Sequence, residues 1–134
     1  MARQTDLERS FEMQLETARI TGWEKEYHFK IPGSRNPCRF DFAWPDIMLA
    51  IDIQGGIFPM WHTTKTGKRY KMPGAHLNTK GYIHDCEKAN EASVCGWTVL
   101  WVTPKHLDCD WGKKSTSIQW VERFLINCCG NSEY

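Results

Sequence analysis

Apolar residues recur at helical spacing through Leu7, Phe11, Leu15 and Ala18, and the pattern stops at Gly22. Thr5-Asp-Leu-Glu8 has the S/T-x-x-E form of a capping box, which predicts a helix start there and assigns Glu8 to the cap. The period then shortens. Tyr27 to Ile31 and Cys38 to Trp44 carry aromatic and β-branched residues on either side of a Pro-Gly-Ser-Arg-Asn-Pro cluster, predicting two strands and a turn. Ile47 to Gln54 is almost continuously apolar, as a strand buried on both faces would be, and stops at Gly55-Gly56.

Ile57 to Ile83 shows no clear periodicity and is expected to be a long loop, a feature that is usually functional in a small domain. Asp85 to Cys95 predicts a helix with a stripe of small residues, Cys86, Ala89, Ala92 and Cys95, ended by Gly96. Trp97 to Thr103 predicts a strand ended by Pro104, and Ile118, Val121, Phe124 and Leu125 predict a last helix over about 115–127. The order α-β-β-β-loop-α-β-α places the chain in the α/β class. One domain is expected over residues 1–134, with a core over about 5–105 and the loop over 57–83.

Composition narrows the class. A hydrophobic content of 41% with seven Trp is too rich for a disordered tail, and a net charge of +1 does not announce a nucleic-acid or membrane binder. The first residues mix charges where an export signal needs an apolar run, and no window approaches the ~18 apolar residues of a membrane span, so a soluble cytoplasmic protein with no membrane partner is expected. The six cysteines include no C-x-x-C, which suits reduced thiols.

Two strands carry acids where apolar residues are the rule: Asp41 within Arg39-Phe-Asp-Phe-Ala-Trp44, and Asp52 within Leu49-Ala-Ile-Asp-Ile-Gln54. A buried Asp needs a partner or a metal. If Pro45-Asp46 is a two-residue hairpin turn, Asp41 faces Ala50 and Asp52 lies diagonally on the same face, at ~7–8 Å or less, close enough to share a divalent cation. Gln54 points to the same side, and the competing reading pairs each Asp with Arg39 or a backbone amide. Glu12, near the apolar stripe of the first helix, is expected to reach the sheet, and Lys88 to lean toward the carboxylates from the second.

The near-neutral total hides segregated charge. Between Asp52 and Asp85 there is no Asp or Glu, yet the segment carries Lys65, Lys68, Arg69, Lys71 and Lys80, interleaved with Trp61, Tyr70 and Tyr82. That mixture suits phosphate contacts with some stacking, and acids able to hold Mg2+ followed by a basic aromatic arm suit phosphodiester chemistry.

The runs Arg39 to Pro45, Leu49 to Gly56, Gly74-Ala-His76, Asp85 to Asn90 and Gly96 to Thr103 together resemble the PD-(D/E)XK nuclease superfamily, in particular small phage and bacterial endonucleases and junction resolvases. The resemblance covers about residues 7 to 105. It implies a restriction-endonuclease-like αβββαβ core, a mixed sheet flanked by helices, here followed by a C-terminal helix. It also implies a Mg2+-dependent DNA endonuclease, with Mn2+ able to substitute, acting in the cytoplasm (the host's, for a phage protein), with structure-specific cutting of branched or nicked DNA and a homodimer both left open. Asp41 and Asp52 then match the metal-binding acids, Glu12 the helix-one acid and Lys88 a lysine displaced onto the second helix, while His76 and Asp85 match further polar positions. The metal set implied is Asp41, Asp52, the Ile53 carbonyl and Glu12. Gln54 stands where Lys is more usual, and the extra residues between Gly56 and His76 make Trp61, Lys65, Lys68, Arg69, Tyr70 and Lys71 the expected DNA contacts. Two alternatives stay open: a non-catalytic nucleic-acid-binding module, and a zinc protein using His62, His76, His84 and Cys86.

Overall fold

The computed structural model describes residues 5–30, 38–55, 60–72, 79–110 and 112–129. In chain order the elements are α1 (Asp6–Thr17), β1 (Glu24–Phe29), β2 (Cys38–Trp44), a short 3-10 turn (Pro45–Ile47), β3 (Leu49–Ile53), β4 (Met60–Thr63), β5 (Arg69–Met72), α2 (Thr79–Val94), β6 (Thr98–Val102), α3 (Pro104–Leu107) and α4 (Thr116–Cys129). The fold is α/β, with a four-stranded mixed sheet in the order β1-β2-β3-β6. The first three strands are antiparallel to their neighbours and β6 runs parallel to β3.

Each face of the sheet is covered by its own core. On one, Phe42, Trp44, Leu49, Ile51 and Val102 pack with Phe11 and Leu15 of α1, Leu107 of α3, and Ile118 and Val121 of α4. Phe11 meets Phe42 edge-on at 4.9 Å between ring centroids. On the other, Ala43 and Ala50 join Ala92 of α2, Trp97, Phe29 and Phe40. Alanines at these strand positions leave room for α2 to lie close against the sheet.

Thr5 caps α1 by accepting the Glu8 N–H on its Oγ1 at 3.1 Å. Thr5→Ala is expected to lower the unfolding free energy by about 1 kcal/mol, seen as a lower urea midpoint at unchanged slope. An unchanged midpoint would show that the cap contributes nothing.

Three boundaries differ from the sequence pattern for identifiable reasons. First, Pro45 opens a helical turn instead of a two-residue hairpin, Met48 closes it in the left-handed region at φ 55°, and its N–H donates to Pro45 O at 3.3 Å. The four-residue connection pairs Trp44 with Leu49, Ala43 with Ala50 and Phe42 with Ile51. Asp41 is therefore carried on toward Asp52, not Ala50. The shift is two residues, so the acids keep the expected parity. Second, the long loop contains an antiparallel hairpin, β4 with β5. Third, α2 begins at Thr79, and its buried face joins Ala92 of the small-residue stripe to two charged residues, Asp85 and Lys88, of which Lys88 finds its partner in Asp52 of the sheet beneath. Among the described residues no helix is long and apolar enough to cross a membrane.

Candidate active site

The β2–β3 ladder runs to the pair Phe42 and Ile51, and at the next position a side chain takes over. Asp41 Oδ2 accepts the Ile53 N–H at 2.7 Å, holding the carboxyl at the end of the sheet. In an antiparallel pair the N–H and C=O of one residue point to the same neighbour, so the Ile53 carbonyl faces this same gap. Arg39 Nη2 lies 3.4 Å from Asp41 Oδ1, and Arg39 Nη1 lies 3.2 Å from Glu26 Oε1. The β1–β2 register carries Glu26 opposite Asp41, where like charges repel. Arg39 bonds both. Glu26 takes φ 51°, a left-handed conformation that is costly without glycine and is kept only where its surroundings enforce it.

Asp52 is 5% exposed on β3, and Lys88 of α2 brings its Nζ to 3.0 Å from Asp52 Oδ2. The same ammonium donates to Arg39 O at 3.1 Å and stands 5.1 Å from the centre of the Phe40 ring. Lys88 thus reaches Asp52, in the direction its place on the helix predicts. Gln54 follows at the end of β3; its N–H donates to Val102 O at 2.7 Å, and its side chain is buried with no hydrogen-bond partner for Nε2 among the described residues. An amide left so costs on the order of 1–3 kcal/mol, which marks a donor waiting for an acceptor.

The acid from α1 is Glu8, not Glu12. Glu8, Phe11 and Leu15 form the buried stripe of the helix, whereas Glu12 pairs with Lys25 at 3.0 Å. The capping bond uses the Glu8 backbone N–H, which leaves its side chain to turn inward. Leu7 of α1 lies over Gly55 at the end of β3, where a Cβ would stand 2.8 Å from Leu7 Cδ1. The spacing of Glu8 to Phe11 and Leu15, three and seven residues on, was the available signal; assigning its side chain to the cap obscured it.

Burial raises the Asp41 pKa from 3.8 to about 6; the charges of Asp52 and Glu8 add to the rise, while the Ile53 N–H and Arg39 oppose it. The competing sequence reading is thus present in fact, since Asp41 does bond Arg39 and a backbone amide, yet those bonds do not offset its burial among acids. In the folded protein Asp41 holds its proton to higher pH than in the unfolded chain, so its contribution to stability is full below 3.8 and is lost as pH rises through about 6. Without divalent ions, thermal stability is expected to fall between about pH 4 and 6.5 from this group, by up to ~3 kcal/mol. Melting curves across that range check it, and a flat profile would contradict the placement of Asp41.

Among the described residues no three or more His, Cys, Asp or Glu form a ready-made metal cage. Mg2+ does not require one, because it commonly takes one or two carboxylates and keeps several waters. Asp41 and Asp52, with Glu8 behind them, offer oxygen donors and an excess of negative charge that a divalent cation would relieve, so these residues fit it. Of the residues of the zinc alternative, His84 is exposed on α2, and His76 lies outside the described residues. Lys65, Lys68 and Arg69 are exposed at the β4–β5 tip, and Trp61, Tyr70 and Lys71 belong to its strands.

No protein-family model matches this chain, and no curated protein matches it.

Proposed function

We propose that this chain is a metal-dependent DNA endonuclease of the PD-(D/E)XK kind, hydrolysing phosphodiester bonds with Mg2+ or Mn2+. The observation that carries the reading is the meeting of Asp41 and Asp52 where β2 and β3 part, with Lys88 fixed on Asp52. The succession α1, β1 to β3, α2 and β6 supports it as the αβββαβ core the resemblance implies. Asp41, Asp52 and the Ile53 carbonyl would hold the cation, and Glu8 takes the supporting place that the sequence pattern gave to Glu12. When bound there, a divalent cation would supply Lewis acidity that makes water a stronger nucleophile at neutral pH.

The chain's own groups do the rest. Arg39 and the Ile53 N–H orient the Asp41 carboxylate. Lys88, anchored on Arg39 O, places a positive charge beside Asp52, where it offsets the charge that develops on the phosphate oxygens. Lysine supplies this from α2 because Gln54 cannot. The Gln54 amide, buried and without an acceptor among the described residues, donates to a water or to a phosphate oxygen. His76 is assigned to proton donation, water holding or a phosphate contact.

The test is a panel of linear duplex, single-stranded and four-way-junction DNA incubated with Mg2+, Mn2+ or EDTA, beside Asp52→Ala. Cleavage that needs both metal and Asp52 supports the reading, and the preferred substrate names the subclass. Binding with every DNA left intact would instead identify a non-catalytic nucleic-acid-binding module.

A further inference from the structure

The stretch between Asp52 and Asp85 holds five Lys and Arg residues and no acid, and the structure gives its centre a definite shape. β4 and β5 pair Met60 with Met72, Trp61 with Lys71, His62 with Tyr70 and Thr63 with Arg69. At the tip, Gly67 N donates to Thr64 O at 2.9 Å and Thr64 N to Lys68 O at 2.8 Å. Lys68 N donates to Thr64 Oγ1 at 3.1 Å, and the hydroxyls of Thr64 and Thr66 are 2.9 Å apart. Gly67, at φ 87°, supplies the left-handed residue that a three-residue hairpin loop needs. The tip is ordered by its own bonds, and Lys65, Lys68 and Arg69 all stand exposed on it.

Such a concentration of one charge is unfavourable for the isolated chain and favourable against a polyanion. The tip itself carries Thr, Lys, Gly and Arg, which suits phosphate contacts. A two-stranded ribbon fits the major groove of B-form DNA, whereas the deep, narrow major groove of A-form RNA excludes it. The ribbon is also inserted between the two elements that carry the acidic site, β3 with Asp52 and α2 with Lys88.

We propose that the β4–β5 hairpin is a groove-entering ribbon through which this chain grips double-stranded B-form DNA. The proposal deepens the nuclease reading, on which it rests for the substrate class. Its test is fluorescence anisotropy in EDTA with full-length protein, using one duplex DNA, the duplex RNA of the same sequence and the single strand, over a range of salt. The wild type is expected to prefer duplex DNA at least about tenfold over both others. Lys65→Ser/Lys68→Ser is expected to weaken duplex-DNA binding by about tenfold or more and to lower the slope of log K against log salt by about 2, since each phosphate contact contributes ~0.9.

Gly67→Val keeps every charge, and a Cβ there meets nothing within 4 Å, so its effect is confined to the backbone of the tip. It is expected to lose the preference for DNA over RNA duplex at an unchanged melting temperature. An unchanged affinity and slope in the lysine variant would overturn the proposal, and a Gly67→Val protein that discriminates like the wild type would overturn entry into the groove. The two readings fail separately. A wild type that binds through the hairpin in EDTA but never cuts with metal removes the nuclease reading alone; one that cuts, while the lysine variant binds unchanged, removes the hairpin alone.

Discussion

Asp41→Asn is expected to raise the stability of the metal-free protein while removing its activity. The carboxylate is buried beside Asp52 and Glu8 and titrates near 6 instead of 3.8, so at neutral pH the fold carries a charge penalty of up to ~3 kcal/mol. A neutral amide of the same shape retains one acceptor for the Ile53 N–H and forfeits the weaker contact with Arg39 at 3.4 Å. The net gain near pH 7 is expected to be about 1–2 kcal/mol, and the fall in stability between about pH 4 and 6.5 should flatten. Cleavage should drop by about a thousandfold or more, since the cation's electrostatic contribution amounts to several kcal/mol and each 1.36 kcal/mol is tenfold in rate. Stabilisation by millimolar Mg2+, present in the wild type, should vanish with it. Thermal melts with and without Mg2+, beside a cleavage assay, read all of these. A variant less stable than the wild type at neutral pH would show that Asp41 is a structural anchor and not a strained ligand.

Lys88→Met is expected to act in the opposite direction on stability. The Lys88–Asp52 pair is over nine-tenths buried on both sides, and Met retains most of the aliphatic stem while removing the charge. Removing the ammonium from beside the buried Asp52 carboxylate then costs the fold about 3–5 kcal/mol. Adding Asp52→Asn should recover a large part of that loss, because the double variant removes both charges of the pair, and the coupling should exceed ~1 kcal/mol. Urea melts of the four proteins give the cycle directly. Divalent cation should also restore part of the stability of Lys88→Met, by meeting the same carboxylate. Equal and additive losses would mean that Lys88 acts through packing on Phe40, not through charge.

The parts of this molecule that announce themselves in the sequence are those in which local pattern and tertiary demand agree. Leu7 to Ala18, the β2 run and Ile118 to Leu125 each carry one period, and each becomes the element that period predicts. Asp41 and Asp52 stand out because an apolar strand has little other use for an acid. The register did not follow from sequence, because Pro45 both ends a strand and opens a helical turn, and only the second choice places Asp41 toward Asp52. Glu8 was hidden by a motif that is satisfied through its backbone alone, which returned its side chain to the core stripe. On α2 the small residues placed Ala92 on the buried face, yet Asp85 and Lys88 share that face, because helix orientation is also set by what the sheet offers. Arg39 was legible only as a partner for Asp41; that it also bonds Glu26 and accepts from Lys88 depends on strand pairing that no local window contains. The hairpin at Thr64 to Arg69 was obscured by the irregular sequence on either side of it.

The claim on which the rest depends is that Asp41 and Asp52 form a cation site that cuts DNA. Single-turnover cleavage of a supercoiled plasmid by excess protein, with Mg2+ titrated from zero, tests it most directly when wild type and Asp52→Asn are run side by side, both checked for folding by their melts. Nicked or linear product is expected from the wild type only, rising with Mg2+ and absent in EDTA. Equal cleavage by the two proteins, or none by a folded wild type with either Mg2+ or Mn2+, would contradict it.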